Sequence, residues 1–78
     1  MTTPVQTLDL RETKCPLNFV QTKLAMEKLS VGDVIEVWID NDSESAINIP
    51  NSIEQEGHQV LKQKLHTDGY NILWIQKK

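Results

Sequence analysis

Arg11-Glu12-Thr13-Lys14-Cys15-Pro16-Leu17-Asn18 is the stretch on which the reading of the chain turns. It holds the only cysteine among 78 residues, and a proline follows it directly. Proline is well tolerated at the first position of a helix, because the N–H it lacks would have no intrahelical partner there. The residues after Pro16 continue in a helical pattern. Those before Arg11 alternate, with Val5, Leu8 and Leu10 apolar, as a strand does. The stretch is therefore the joint between a strand over residues 5–10 and a helix running from 16 to about 29. Cys15 falls at the N-cap of that helix, with Pro16, Leu17 and Asn18 in its first turn. Free N–H groups and the positive end of the helix dipole point toward a side chain placed there. Lys14 and Arg11 add positive charge. Such surroundings lower a thiol pKa and favour the reactive thiolate. The competing reading makes a lone cysteine a small buried hydrophobe. On the residues alone the two readings stand level.

Working outward, Phe19, Met26 and Leu29 form an apolar stripe at helical spacing, with Val20 and Ala25 beside them and Thr22 on the same line. Gln21, Lys23, Glu27 and Lys28 cover the other side. The stripe reads as core packed on a sheet. Ser30-Val31-Gly32-Asp33 ends the helix in a turn. Residues 34–39, V-I-E-V-W-I, are nearly all apolar and rich in β-branched side chains, which suits a central strand. The acidic run from Asp40 to Ser45 is superficially like a calcium loop. Ser45 and Asn51 stand where such a loop needs Gly and Glu, so it reads as a turn with helix-capping residues. Pro50 fits only the first turn of a helix. The second helix is thus expected to begin near Ile49, after a loose turn over residues 43–48, and to stop at Gly57. Ile49 and Ile53 face the core, and Glu54 and Glu56 face water.

Residues 58–66 alternate as a third strand. Thr67-Asp68-Gly69 signals a hairpin. Residues 70–76 form a fourth strand, with Tyr70, Ile72, Trp74 and Gln76 on one face and Leu73 and Ile75 on the other. Lys77 and Lys78 are expected to protect a sheet edge. His58 and His66 read as ordinary strand-end residues. The order β-α-β-α-β-β leaves no room for a second helical layer. It predicts an α+β two-layer sandwich with both helices on one face of the sheet. Right-handed crossovers then place Cys15 at one end of the sheet, on a short exposed loop.

Composition bounds the function. The chain reads as one domain over residues 1–78, with a flexible start at 1–4. Its 38% hydrophobic and 24% charged content suit a compact soluble domain. One cysteine forms no internal disulfide, and two distant histidines complete no zinc spacing, so no metal is expected. A free thiol suits a reducing, cytoplasmic compartment. Met1-Thr2-Thr3-Pro4 lacks the features of a signal peptide. No apolar run approaches the roughly 18–20 residues that span a membrane. A net charge of −3 and a pI near 5.2 argue against general nucleic-acid affinity.

The ordered pieces Leu8-Asp9-Leu10-Arg11, Cys15-Pro16, Lys28-Leu29, Gly32-Asp33-Val34-Ile35-Glu36-Val37, Ile49-Pro50 and Gly57-His58 resemble the TusA/SirA-like sulfur carrier family from about Leu8 onward. The resemblance implies a β-α-β-α-β-β sandwich with a mixed four-stranded sheet. It also implies a cysteine that carries sulfur as a persulfide. The sulfur comes from a cysteine desulfurase or rhodanese-like donor and passes to an acceptor protein. Depending on the member, it serves tRNA thiolation, molybdenum cofactor assembly or sulfur oxidation. No cofactor is implied. The family motif is Cys-Pro-x-Pro, and here Asn18 replaces the second proline. Glu12 replaces the usual glycine after Arg11, and it adds negative charge near the thiol. Asn18 falls at the third helical position, where a proline's missing N–H is no loss to the helix, and its side chain adds a donor for the sulfur or a partner.

On this reading Cys15 is the catalytic thiol. Arg11 and Lys14 assist electrostatically and help dock an acidic partner, while Glu12, Pro16, Leu17 and Asn18 complete the contact rim. One rival is a regulatory or protein-binding module with an inert or redox-reporting Cys15. Another is RNA binding through the sheet, with Trp38, Tyr70 or Trp74 as stacking platforms; the acidic charge disfavours it.

Overall fold

The computed structural model describes residues 4–14, 17–41 and 43–78, with backbone only for residues 43–46. The elements are β1 (Gln6–Leu10), α1 (Leu17–Glu27), β2 (Val34–Asp40), α2 (Ser43–Gln55), β3 (Gln59–Leu65) and β4 (Tyr70–Gln76). The strands form one sheet in the order β1-β2-β4-β3. β1 runs parallel to β2, while β4 is antiparallel to both β2 and β3. The expected mixed sheet in an α+β architecture is what the chain adopts.

Strand alternation divides the sheet into two faces. Leu10, Ile35, Val37, Ile39, Leu73 and Ile75 are buried in one cluster with Met26 of α1 and with Ile49 and Ile53 of α2. Both helices therefore cover the same face. The other face carries straight cross-strand rows. Thr7, Glu36, Trp74 and Lys62 make one; Asp9, Trp38, Ile72 and Lys64 make the next.

Three expectations are corrected. The second helix begins at Ser43, not near Ile49, and holds Pro50 inside it. Proline removes one rung there at about 3 kcal/mol. Ile49 and Ile53 are fully buried on the sheet, and about 1.5–3 kcal/mol for each such side chain offsets that loss. The buried line of α1 is Asn18, Thr22 and Met26, flanked by Phe19, Ala25 and Leu29, while Val20 is 43% exposed. Polar residues can occupy that line because the Thr22 hydroxyl donates to the Asn18 carbonyl at 2.8 Å. Lys77 protects no edge, because β4 lies inside the sheet. Its Nζ instead donates to the carbonyls of Glu27 (3.2 Å) and Leu29 (2.7 Å), capping the end of α1.

The end of α2 is a Schellman motif. The His58 N–H donates to the Ile53 carbonyl and the Gly57 N–H to that of Glu54, with Gly57 at φ +96°. β3 is the least buried strand, and its pairing with β4 shifts register between Val60 and Lys62.

Candidate functional site

The loop from Arg11 to Lys14 leaves the sheet where β1 and β2 end and β4 begins. Both of its ends are fixed by backbone hydrogen bonds. The Thr13 N–H donates to the Leu10 carbonyl at 3.1 Å, and the Asn18 N–H donates to the Lys14 carbonyl at the same distance. Cys15 and Pro16 lie between these two points and outside the described residues, so the expected N-cap placement of Cys15 lies outside them too. In the sequence the sole cysteine falls between the last residue of β1 and the first of α1.

The described members of the expected site differ in what they offer. Leu17 is 59% exposed, and Glu12 and Lys14 are exposed as well. Asn18 is 1% exposed, so it lies beneath the helix and does not form part of a contact rim. Its N–H is taken by Lys14, and its Oδ1 accepts from the Phe19 N–H at 2.8 Å. Asparagine at this position thus serves the packing of α1.

Arg11 is the most constrained of the set. Its Nε and Nη2 donate to the two carboxylate oxygens of Asp9 at 2.9 and 2.8 Å, and its backbone N–H donates to Asp9 Oδ1 at 3.1 Å. Asp9 and Arg11 stand two apart, which puts both on the helix-free face of the sheet. The hydrogen bond from Arg11 holds the Asp9 carboxyl below the usual carboxylate range, and the same bond raises Arg11. The guanidinium lies 4.7 Å from the centre of the Tyr70 ring and 5.0 Å from that of Trp38. His66 stacks on Tyr70 at 4.5 Å. Arg11 therefore spends its charge inside the chain, on a carboxylate and two rings. The sequence reading named Arg11 but missed its partners, Asp9 and the rings of Trp38 and Tyr70, which it weighed only as stacking platforms for RNA. The i, i+2 spacing of Asp9 and Arg11 was a usable signal for the first; contacts across the sheet leave none for the other two.

Beside this loop is an open cleft of about 620 Å³, lined by Asp9, Arg11, Glu12, Asp40, Asp68 and Tyr70 among others. Farther along the same face, Glu36 receives both indole N–H groups, from Trp38 at 2.6 Å and Trp74 at 3.0 Å. Lys62 lies 5.5 Å from the Trp74 ring centre. The aromatic rings are thus partly covered by the chain's own cations, which works against their use as stacking platforms. Among the described residues no group of three or more His, Cys, Asp or Glu side chains could hold a metal ion. Among them, too, no helix is long and apolar enough to cross a membrane.

Comparison with known proteins adds four findings. The family model described as sulfurtransferase TusA matches residues 6–77. A protein of Archaeoglobus fulgidus, named provisionally as a sulfur carrier protein, is 39% identical over 74 residues, covering 94% of this chain and 82% of that one. One of Thermotoga maritima with the same provisional name is 40% identical over 57 residues, or 73% of this chain and 71% of its own. Among solved structures, the SirA-like protein of Desulfitobacterium hafniense superposes with a TM-score of 0.81 at 25% identity, covering 92% of this chain and 96% of that one.

Proposed function

Because the chain belongs to the TusA sulfurtransferase family, we propose that it is a cytoplasmic sulfur carrier whose working group is the thiol of Cys15. The observation that supports this best is positional. Residue 15, the only cysteine in the chain, falls in the sequence between the end of β1 and the start of α1, inside the region matched by the family model. In the proposed step the Cys15 thiolate attacks the outer sulfur of a donor persulfide, R–S–SH. The new bond joins Cys15 Sγ to that sulfur. The donor S–S bond breaks, and its electron pair leaves with R–S⁻, a thiolate of the donor protein. The product is Cys15–S–SH, and no external oxidant or reductant takes part. A second thiolate or another nucleophile on an acceptor protein then removes the outer sulfur in the same way. A low-pKa thiol needs no general base for this chemistry, and the step requires no cofactor.

The donor is of the cysteine desulfurase or rhodanese-like type, and tRNA thiolation is one destination open to the acceptor. Lys14, Glu12 and Leu17 are exposed at the loop and the first turn of α1. With Pro16, which adjoins them in the sequence, they are the proposed rim for a partner of Cys15.

The test is the intact mass of the protein after incubation with a cysteine desulfurase and free cysteine, and separately with inorganic polysulfide. Wild type should gain one or more sulfur atoms that a reductant removes, and Cys15→Ser should gain none. A sulfur gain on Cys15→Ser, or wild type left unloaded by both donors, sinks the proposal.

A further inference from the structure

Arg11 is exposed, yet it is held by five separate contacts: three hydrogen bonds to Asp9 and the faces of two rings. An exposed arginine of no structural consequence is not tied in this way, since each tie restricts a long flexible side chain at an entropic cost. What the ties have in common is where they hold the chain. Arg11 is the first residue of the loop, and Thr13, bonded back to Leu10, is the third. Asp9 belongs to β1, Trp38 to β2 and Tyr70 to β4, so the anchorage spans three neighbouring strands. Tyr70 is itself braced by His66 across the β3–β4 turn, where the His66 N–H donates to the Tyr70 carbonyl at 2.7 Å.

We infer that Asp9, Arg11, Trp38 and Tyr70 form a clamp that pins the Arg11–Lys14 loop to the helix-free face of the sheet, with Arg11 acting as a positioning residue for Cys15 and not as a docking cation. The inference rests on the reading of Cys15 as the working thiol. It departs from a purely electrostatic role for Arg11, because a guanidinium already paired with a carboxylate and covered by rings has little charge to lend. It also separates Arg11 from Lys14, whose side chain is exposed at the far end of the loop. Arginine suits the post for its shape. Its planar fork meets a carboxylate with two donors and lies flat on a ring, and lysine can do neither.

The test compares Arg11→Lys, Arg11→Met and Tyr70→Leu with wild type in the full chain. Amide hydrogen exchange at Thr13 reads the hold on the loop, and the pH profile of Cys15 alkylation by iodoacetamide reads the placement of the thiol. Arg11→Lys should behave like Arg11→Met. Both should speed Thr13 exchange roughly fivefold, the effect of losing an exposed ion pair and cation–π contact together, and Tyr70→Leu, which keeps the Asp9 pair and loses one cation–π contact, roughly twofold. All three should also displace the alkylation profile to higher pH, while Leu73 and Ile75 in the core keep wild-type exchange. Lysine that restores both readouts would mean that only charge matters and would overturn the clamp. So would Thr13 exchange unchanged in all three variants, or faster exchange with an unmoved alkylation profile. A wild type that takes up no sulfur but shows the expected exchange and alkylation changes would remove the carrier reading and leave the clamp standing.

Discussion

Glu36 offers the sharpest test of the helix-free face. Its two carboxylate oxygens each accept one indole N–H, from Trp38 on the same strand and from Trp74 directly across the sheet. A hydrogen bond to a charged group is worth about 1.5–3 kcal/mol. The groups here are half-buried, so water can replace part of each bond, and the low end or less applies. Glu36→Ala removes both acceptors and should cost about 2 kcal/mol. Glu36→Gln keeps one acceptor oxygen and turns an NH₂ group toward the other indole, so it should cost about half as much. In a domain of this size each kcal/mol moves Tm by about 4–8 °C. Urea unfolding followed by tryptophan fluorescence reads the effect directly, since both reporters are Glu36's partners. Midpoints for both variants within about 0.3 kcal/mol of wild type, at an unchanged slope, would show that water serves the indoles equally well. The bridging role of Glu36 would then be wrong.

Three further outcomes are expected. Lys77→Met should cost about 0.5–1 kcal/mol by uncapping α1; exchange at the Lys28 and Leu29 amides should rise with it, and unaltered protection there would refute the cap. Gly57→Ala forces a Cβ onto a φ of +96° and should destabilise by about 1–2 kcal/mol, although nothing crowds the position; an unchanged urea midpoint would count against the strain. Asp9 titrates below its ordinary value when folded, so the unfolded chain binds the proton first and stability rises with pH there. Its contribution is complete above about pH 4 and is lost as pH falls through the lower folded pKa. The stability gap between wild type and Asp9→Asn should therefore close on acidification, and a gap constant from neutral to strongly acidic pH would contradict the Asp9–Arg11 pairing.

Much of the architecture was open to reading because its periods are local. The run from Val34 to Ile39 and the alternation of Tyr70, Ile72 and Trp74 against Leu73 and Ile75 appear in the structure as the two central strands. The strand–loop–helix joint around Arg11 to Asn18 was legible for the same reason. Pro50 misled because a rule about isolated helices was applied to one whose neighbours are fully buried. Val20 was placed in the core because it is apolar. Asn18 and Thr22 took that line instead, since their polar atoms find partners within one turn of α1. The grip of Trp38 and Tyr70 on Arg11 had no trace in the sequence. Tyr70 comes from a strand near the other end of the chain, and only the strand order shows that it lies nearby.

That strand order also sets a schedule for synthesis. β4 leaves the ribosome after the other three strands of the sheet, yet it fills the middle, between β2 and β3. The ties from it and from Lys77 reach back across 38 to 50 residues, to Glu36 and to the end of α1. A nascent chain that stops before residue 70 can hold β1, α1 and β2. It has no ring from β4 beneath Arg11 and no lysine at the foot of α1. Pairings that span most of a chain form late, after the entropy of closing long loops has been overcome. The loop that carries Cys15 is made early and secured last.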